Sequence, residues 1–185
     1  MSNQVINAIL ERRSHRAYQD TQLTQEQLDT LLEAALASPS ANNLQPWHFS
    51  VVQNRALLDR INRAIHEGAM TLDENSHNPR FMDAGFDVFY QAPTVIFISS
   101  QSGGLKAIDC GIAVMSIAMA AQGLGLGSVI LGLPRLAFTG KHRQDLEQAL
   151  GFPEGYTFTI AIALGHPTDS KPAHDRDHSK IHIIR

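Results

Sequence analysis

The strongest constraint on the fold is one apolar stretch, Leu105 to Gly132, which predicts a helix, a glycine turn and a strand. From Ala107 to Ala121 nearly every residue is apolar or small, and helices without a wide polar face are usually buried. Asp109, Ser116 and Gln122 interrupt the run, which is shorter than the roughly 20 apolar residues of a membrane span. We therefore expect the central helix of a globular core.

The predicted helix is rich in small residues that would let another backbone approach closely. They are Ala107, Gly111, Ala113, Ala118, Ala120 and Ala121. We expect a helix-to-helix contact here, across the two-fold axis of a homodimer. The single cysteine, Cys110, lies in the same helix, so an internal disulfide is excluded and a packing role is expected rather than a nucleophilic one.

Composition narrows the class of protein. With 185 residues, of which 43% are hydrophobic and 18% charged, the chain is expected to form one globular domain over residues 1–185. A net charge of -3 without a basic tail argues against nucleic-acid binding. The start of the chain, MSNQVINAILERR, lacks the basic region and the long apolar core of a signal peptide, which predicts a cytoplasmic protein.

A basic cluster follows the first predicted helix, which Asn3 can cap. Three arginines, Arg12, Arg13 and Arg16, and the hydroxyl of Ser14 lie within five residues. The planar guanidinium group matches the oxygens of a phosphate. Arginines at a helix C-terminus also complement the helix dipole, so both interpretations stay open at this point.

A second helix is predicted from the capping box of Thr24 and Gln27. The loop that follows lies between Pro39 and Pro46 and is rich in small and amide side chains. Because the two prolines would hold its shape, the loop could lie against a flat ligand at low entropic cost. It leads into an alternating strand, Trp47–Val52, whose first two residues are more simply a packed strand start than ligand contacts.

The middle of the chain predicts a helix over Arg55–Met70 and a buried strand over Thr94–Ser99. Between them, residues 71–90 become polar. Aromatic residues in this part could line a substrate pocket, although aromatics at helical spacing more often belong to a core. They are Phe81, Phe86, Phe89 and Tyr90.

Gly123, Gly125 and Gly127 resemble a dinucleotide-binding fingerprint. That fingerprint needs a strand before it and a helix after it, whereas here the helix comes first. Gly123 or Gly125 is better explained as a helix C-cap with positive φ. Farther along, residues 134–140 are expected to be irregular, followed by a short helix over Lys141–Leu150.

After a last predicted strand, Thr157–Leu164, residues 168–185 are expected to form an extended arm. Three histidines in the arm recur at intervals of four, a spacing that would form a metal-like face on a helix. They are His174, His178 and His182. Pro172 and the poor helix formers around it argue against a helix, so no metal site is expected.

Four segments in order, ERRSHRAY, SPSANNLQPWHF, GLGLGSVILG and ALGHP, resemble the FMN-dependent nitroreductase family over residues Asn3 to Pro167. The resemblance implies an α+β fold of three α/β/α layers, with a mixed, mostly antiparallel sheet flanked by helices and a C-terminal arm. It also implies bound FMN and a homodimer with its flavin sites at the subunit interface. No nucleic acid or membrane partner is expected.

The resemblance assigns the basic cluster to the FMN phosphate, because an RRS-type segment has this role in the family. The residues so implied are Arg12, Arg13, Ser14 and Arg16. Family members also bring a late basic residue to the phosphate after the GHP-type strand. Arg176 is the candidate that we assign, with Lys171 as the alternative.

The flavin ring is implied to contact two other segments. In the family, the loop before the QPW motif touches the flavin of the partner subunit, which points to Pro39, Ser40, Ala41 and Asn43. The backbone beside the isoalloxazine ring would be that of Ile130, Leu131 and Gly132. Residues 71–90 correspond to the variable region that covers the flavin, so we expect a lid there.

The sequence contains no GxSxG or HExxH motif that would mark a protein-borne reaction centre. A flavin carries hydride chemistry on its own ring, so the protein needs only to bind and orient it. The resemblance implies an oxidoreductase that passes hydride from NADH or NADPH through flavin N5 to nitroaromatic or quinone acceptors by a ping-pong cycle. Reductive dehalogenation, oxygen-dependent flavin chemistry and a non-catalytic module for a phosphate-bearing ligand remain alternatives.

Overall fold

A four-stranded sheet in the order β1-β2-β4-β3 is the centre of the fold. The computed structural model describes residues 3–72, 83 and 85–185. Its strands are β1 (Trp47–Val52), β2 (Thr94–Gln101), β3 (Gly127–Leu131) and β4 (Tyr156–Gly165). Its α-helices are α1 (Gln4–Glu11), α2 (Gln25–Leu36), α3 (Arg55–Ala69), α4 (Lys106–Gly123) and α5 (Arg143–Ala149). Short 3-10 helices span Ala41–Asn43, Leu133–Phe138 and His178–Lys180.

All three strand pairs are antiparallel, with Trp47 opposite Ser100 in the first pair and Thr94 opposite Leu164 in the second. One isolated parallel bridge, between Ser14 and Ser128, makes the pairing mixed. β2 and β4 are the inner strands, and every residue of β2 except its last is buried. The predicted buried central strand and the mostly antiparallel sheet are therefore confirmed.

Helices cover both faces of the sheet, because alternate side chains of β2 point to opposite sides. Phe97 packs with residues of α3 and α5, whereas Ile96 and Ile98 pack with residues of α2 and α4. Each side forms its own apolar cluster of fully buried residues. The three-layer α/β/α arrangement expected from the resemblance is confirmed.

Local signals in the sequence set the helix ends. The side chains of Thr24 and Gln27 form the reciprocal capping box that the sequence predicts at the start of α2. At the end of α4 the backbone N–H of Leu126 donates to the oxygen of Ala121 at 2.8 Å, and Gly125 has a φ of 71°. This is a Schellman motif, so Gly125 has the predicted C-cap role and the helix precedes the strand.

α4 is less buried within one chain than its sequence predicts. Cys110 and Ile117 are fully buried against the sheet, as expected for packing residues. On the opposite side Ile108, Ile112 and Met115 are 60%, 38% and 37% exposed. The face of α4 that points away from the sheet is therefore also apolar, which is why the sequence shows no polar face. Within the described part of the chain this face lines an open groove beside α2.

Two segments differ in detail from the predictions. Residues 134–140 were expected to be irregular, but a 3-10 helix occupies Leu133–Phe138. Pro134 stands in its first turn, where a fixed φ and a missing N–H are tolerated. The C-terminal arm has one 3-10 turn, and its residues Ile181, Ile183 and Ile184 are 64–87% exposed.

Most of the predicted lid, residues 71–90, lies outside the described residues, as does Phe81. Of the other aromatic residues there, Phe89 belongs to the core, and Phe86 and Tyr90 pack against it. In the arm, the three histidines do not share a face of an α-helix, since only His178 lies in a helical turn. No helix within the described ranges has both the length and the apolar character needed to cross a bilayer.

Candidate functional site

The basic segment after α1 is fixed by hydrogen bonds to the sheet. The backbone N–H of His15 donates to the oxygen of Ser128 at 3.0 Å, which aligns the segment with the start of β3. The backbone N–H of Gln19 donates to the oxygen of His166 at 2.8 Å, just after β4. The segment therefore crosses the end of the sheet where β3 begins and β4 finishes.

Two glycines allow this close approach. A Cβ atom on Gly127 would lie 2.8 Å from Cβ of Pro167 and 3.0 Å from Cβ of His15. Neither distance leaves room for a side chain. A Cβ atom on Gly165 would be equally close to the side chains of Pro93 and Tyr18. The glycines at the start of β3 and the end of β4 thus leave room for the chain from His15 to Tyr18 to approach the sheet.

The arginines of the cluster differ in their surroundings. Arg12 and Arg13 are half-buried, whereas Arg16 is exposed. Arg13 Nη1 donates to the backbone oxygens of Leu10 at 2.8 Å and Arg12 at 2.9 Å. Its Nε is buried and has no hydrogen-bond partner among the described residues. A buried N–H without an acceptor is costly, and an anion beside it would satisfy it.

Arg16 is held at the edge of the cluster. Its Nη1 donates to the backbone oxygen of Ser14 at 3.3 Å, and its guanidinium carbon lies 5.7 Å from the ring centroid of Tyr90. A cation over an aromatic ring is attracted by the negative face of the ring. Arg16 therefore connects the basic segment to Tyr90, in the chain that leads into β2.

Asp169 lies within this group of basic residues, although no motif or spacing in the sequence marks it. Its Oδ1 is 2.6 Å from His15 Nδ1, and its Oδ2 accepts from the backbone N–H of Arg16 at 2.9 Å. Lys171 Nζ is 3.6 Å from Oδ2. Burial alone would raise the pKa of Asp169, but the hydrogen bonds from Arg16 and His15 and the charge of Lys171 lower it.

The two candidates for a late basic residue are placed differently. Lys171 joins the cluster through Asp169 and is half-buried. Arg176, which we assigned from the sequence, lies five positions farther along an irregular stretch and is exposed. Within the described ranges Lys171 contacts a residue of the cluster, whereas Arg176 makes no hydrogen bond or ion pair.

Tyr18 binds the basic segment through a hydrogen bond. Its hydroxyl donates to the backbone oxygen of His15 at 2.7 Å. Burial, followed by the charge of Asp169, raises the pKa of Tyr18 above its usual value, so the hydroxyl remains a donor at neutral pH. Tyr18 thereby fixes the carbonyl of His15, and Asp169 holds its ring.

The loop before β1 is fixed to the start of α4. The backbone N–H of Ala41 donates to both carboxylate oxygens of Asp109 at 3.2 and 3.3 Å, and Asp109 is only 4% exposed. Ser40 Oγ accepts from the backbone N–H of Gln45 at 2.9 Å. Asn43 has a φ of 53° and is exposed, as is Pro39. Asp109, which looked like a mere interruption of the apolar run, is the residue that anchors this loop.

The predicted flavin contacts fall into two separate groups within one chain. The loop is anchored in the first turn of α4, whereas the basic segment pairs with Ser128, just beyond the last turn. The 18 residues of α4 span about 27 Å at 1.5 Å per residue. The structure of one chain therefore does not bring the loop to the basic segment.

β3 begins beside the basic segment and ends farther along the strand. Leu131 is three residues beyond Ser128, or about 10 Å along the strand. Ile130 is half-buried, Leu131 is buried and Gly132 is exposed. The basic cluster and the end of β3 can thus contact two parts of one elongated ligand whose charged end meets the arginines.

The chemistry of the cluster fits a phosphate group. Guanidinium groups bind phosphate oxygens by paired, charge-assisted hydrogen bonds, and the buried Nε of Arg13 has a free N–H. The hydroxyl of Ser14 and the ammonium group of Lys171 add further donors. No group of three or more metal-binding side chains occurs within the described residues, and the groups that could donate to a phosphate here are cations and a hydroxyl.

Comparison with known proteins agrees with these features. The model of the Nitroreductase family matches residues 9–166. FMN reductase (NAD(P)H) of Bacillus subtilis is 32% identical over 178 residues, which cover 90% of this chain and 67% of the relative. The crystal structure of a nitroreductase with bound FMN from Desulfitobacterium hafniense aligns over 100% of both chains, with a TM-score of 0.93 and 34% identity. A nitroreductase with bound FMN from Bacteroides fragilis does so with a TM-score of 0.92 and 26% identity.

Proposed function

Because the chain belongs to the nitroreductase family, we propose that it is a flavoprotein oxidoreductase that binds FMN and uses NADH or NADPH to reduce nitroaromatic, quinone or related acceptors. The basic cluster is the observation that carries this proposal. The relatives that bind or act on FMN by name are similar over nine tenths or more of this chain. The cluster supplies the donors that the phosphate of such a cofactor needs.

Arg12, Arg13 and Ser14 would hold the phosphate, with Arg16 and Lys171 at its edge. The half-buried position of Arg12 and Arg13 supports this role, because charge-assisted bonds are stronger away from water. The unpaired Nε of Arg13 would gain an acceptor. Arg176 remains a prediction from the sequence and would have to reach the cluster from the exposed arm.

Bound FMN would supply the redox chemistry, which is hydride transfer from NADH or NADPH to the acceptor by way of N5 in a ping-pong cycle. The residues of the chain bind and orient the cofactor, and none of them needs to be a nucleophile or a general base. The backbone of Ile130, Leu131 and Gly132 would lie beside the ring. Because the ring would be contacted by backbone atoms and the protein supplies no reacting group, apolar side chains are sufficient at the end of β3.

A homodimer with the flavin sites at its interface completes the proposal. The loop from Pro39 to Asn43 and the basic segment lie at opposite ends of α4 in one chain, so the loop of one subunit would serve the flavin of the other. The open face of α4 supports this arrangement, as do the apolar side chains of α1, Val5, Ile6, Ile9 and Leu10, which are 44–66% exposed. Contiguous apolar surfaces of this kind usually mark an interface.

Steady-state kinetics with purified, FMN-saturated protein test the catalytic proposal. NADH and NADPH are each varied against a nitroaromatic and a quinone, and parallel double-reciprocal lines are expected for a ping-pong cycle. Reduction of a halogenated substrate or of oxygen alone would instead favour a different reaction at the same flavin site. FMN binding without any oxidation of NADH or NADPH would favour a binding module and contradict the proposed enzyme.

A further inference from the structure

One carboxylate, that of Asp169, lies among the basic residues proposed to hold the phosphate. Asp169 lies 2.6 Å from His15 and within 3.6 Å of Lys171, inside the cluster proposed to hold a phosphate dianion. A negative charge at this place repels a phosphate by Coulomb's law. We therefore expect Asp169 to make contacts in the site that outweigh this repulsion.

The contacts of Asp169 link two segments of the chain. Oδ2 accepts from the backbone N–H of Arg16, and Oδ1 is bound by the ring of His15, so both oxygens are engaged within the basic segment. Lys171 follows Asp169 by two residues and lies beside the same carboxylate. One side chain thus joins the segment after α1 to the segment after β4.

Backbone hydrogen bonds alone do not connect Arg16 to Lys171. The last backbone bond between the two segments runs from the N–H of Thr168 to the oxygen of Ala17 at 3.0 Å. Beyond it, Lys171 has no regular secondary structure to hold it, and Arg16 is exposed. Among the described contacts, the carboxylate of Asp169 is the one that meets both the backbone N–H of Arg16 and the ammonium group of Lys171.

Resting on the proposed function, we propose that Asp169 is a positioning residue that holds Arg16 and Lys171 for the FMN phosphate, and that it makes the site prefer FMN to riboflavin, which lacks the phosphate. Asp169 does not touch the phosphate itself. It acts through the two basic residues and through the ring of His15, which is 16% exposed and fills the space beside Gly127.

The direction in which Asp169→Asn changes the affinity for FMN separates the positioning role from simple charge repulsion. If Asp169 were only a nearby negative charge, Asp169→Asn would remove repulsion and bind FMN more tightly. If it positions the basic residues, the same change weakens FMN binding. Riboflavin serves as the internal standard, because a general loss of structure would weaken the binding of both flavins.

The experiment titrates apoprotein with FMN and with riboflavin and follows the quenching of flavin fluorescence. For Asp169→Asn we expect the Kd for FMN to rise about tenfold, the effect of losing one charge-assisted contact, with the Kd for riboflavin within about twofold of wild type. Tighter or unchanged FMN binding would overturn the inference, and so would an equal loss for both flavins.

A second variant and a matched control complete the test. Lys171→Met should reduce the preference for FMN, and it should add little in the Asp169→Asn background, because the two changes disrupt one arrangement. Additive effects would contradict the positioning role. Asp175→Asn makes the same change of charge at an exposed residue of the arm and should leave both Kd values unchanged.

The outcomes also separate this inference from the proposed function. A wild-type protein that does not prefer FMN to riboflavin would overturn both, because the basic cluster would then have no phosphate to bind. A wild-type protein that prefers FMN, together with an Asp169→Asn variant that keeps the full preference, would overturn the role of Asp169 alone.

Discussion

His15 Nδ1 lies 2.6 Å from Asp169 Oδ1, although 154 positions separate the two residues in the sequence. The pair joins the chain just after its first helix to the chain just after its last strand. Both side chains are largely buried, at 16% and 20% exposure. The contact places a basic segment and a late lysine on one surface, which is the requirement for a phosphate site built from distant parts of the chain.

The lowered pKa of Asp169 predicts how this pair affects stability with pH. Since the pKa is lower in the folded state, the unfolded state binds more protons near its own pKa, about 3.9. The stabilisation is fully present above that pH and is lost as the pH falls through the folded value. Urea unfolding at several pH values should therefore show wild type and Asp169→Asn converging in stability from pH 5 toward pH 3. A constant difference across this range would contradict the shift.

Arg12→Ala should weaken FMN binding by roughly tenfold to a hundredfold, as expected when a charge-assisted contact is lost. Fluorescence titration of the apoprotein measures the change. Arg143→Ala is a matched control, because Arg143 pairs with Glu147 on the surface of α5 and should not affect the flavin. Equal affinity in wild type and Arg12→Ala would count against the phosphate role.

Gly127→Ala should destabilise the fold by roughly 1–3 kcal/mol, the usual cost of forcing extra atoms into a packed site. The added methyl would lie within 3.0 Å of both Pro167 and His15, which would push the basic segment away from β3. Urea unfolding measures the loss. Gly140→Ala, with no heavy atom within 4 Å of the added group, should change stability little. An equal loss of stability in Gly127→Ala and Gly140→Ala would show that the tight contact of Gly127 with Pro167 and His15 does not contribute to stability.

Local patterns predicted most of the fold. The strand over Trp47–Val52, the capping box of Thr24 and the glycine C-cap of α4 follow from neighbouring residues, and the structure confirms each. The 3-10 helix at Leu133–Phe138 was missed because short 3-10 turns have no hydrophobic period to detect. The one-sided burial of α4 was missed because composition shows that a face is apolar, not what covers it.

The candidate site was predictable only in part. The arginines stand together in the sequence, so their cluster was visible there. Asp169 and Asp109 were not, because their partners lie far away in sequence and a single carboxylate has no characteristic spacing. The sequence also does not show that Lys171 contacts Asp169, since Lys171 and Arg176 lie in the same polar arm.

Ile112→Glu should convert the proposed homodimer to monomers. Ile112 lies on the open apolar face of α4 beside Met115, and a carboxylate buried there without a partner would be strongly disfavoured. Sedimentation at micromolar concentration measures the mass, and the monomer should also retain less FMN because the partner's loop is lost. Gln148→Glu adds the same charge to an exposed position on α5 and should remain dimeric. A wild-type protein that is already monomeric would contradict the interface.

The central claim is that the basic cluster and the end of β3 hold FMN. The most direct measurement is the absorption spectrum of the purified or FMN-reconstituted protein after gel filtration, with the bound flavin quantified against the chain. The account predicts flavin bands in the blue and near ultraviolet and one FMN per chain. A colourless protein that cannot be reconstituted with FMN would contradict it.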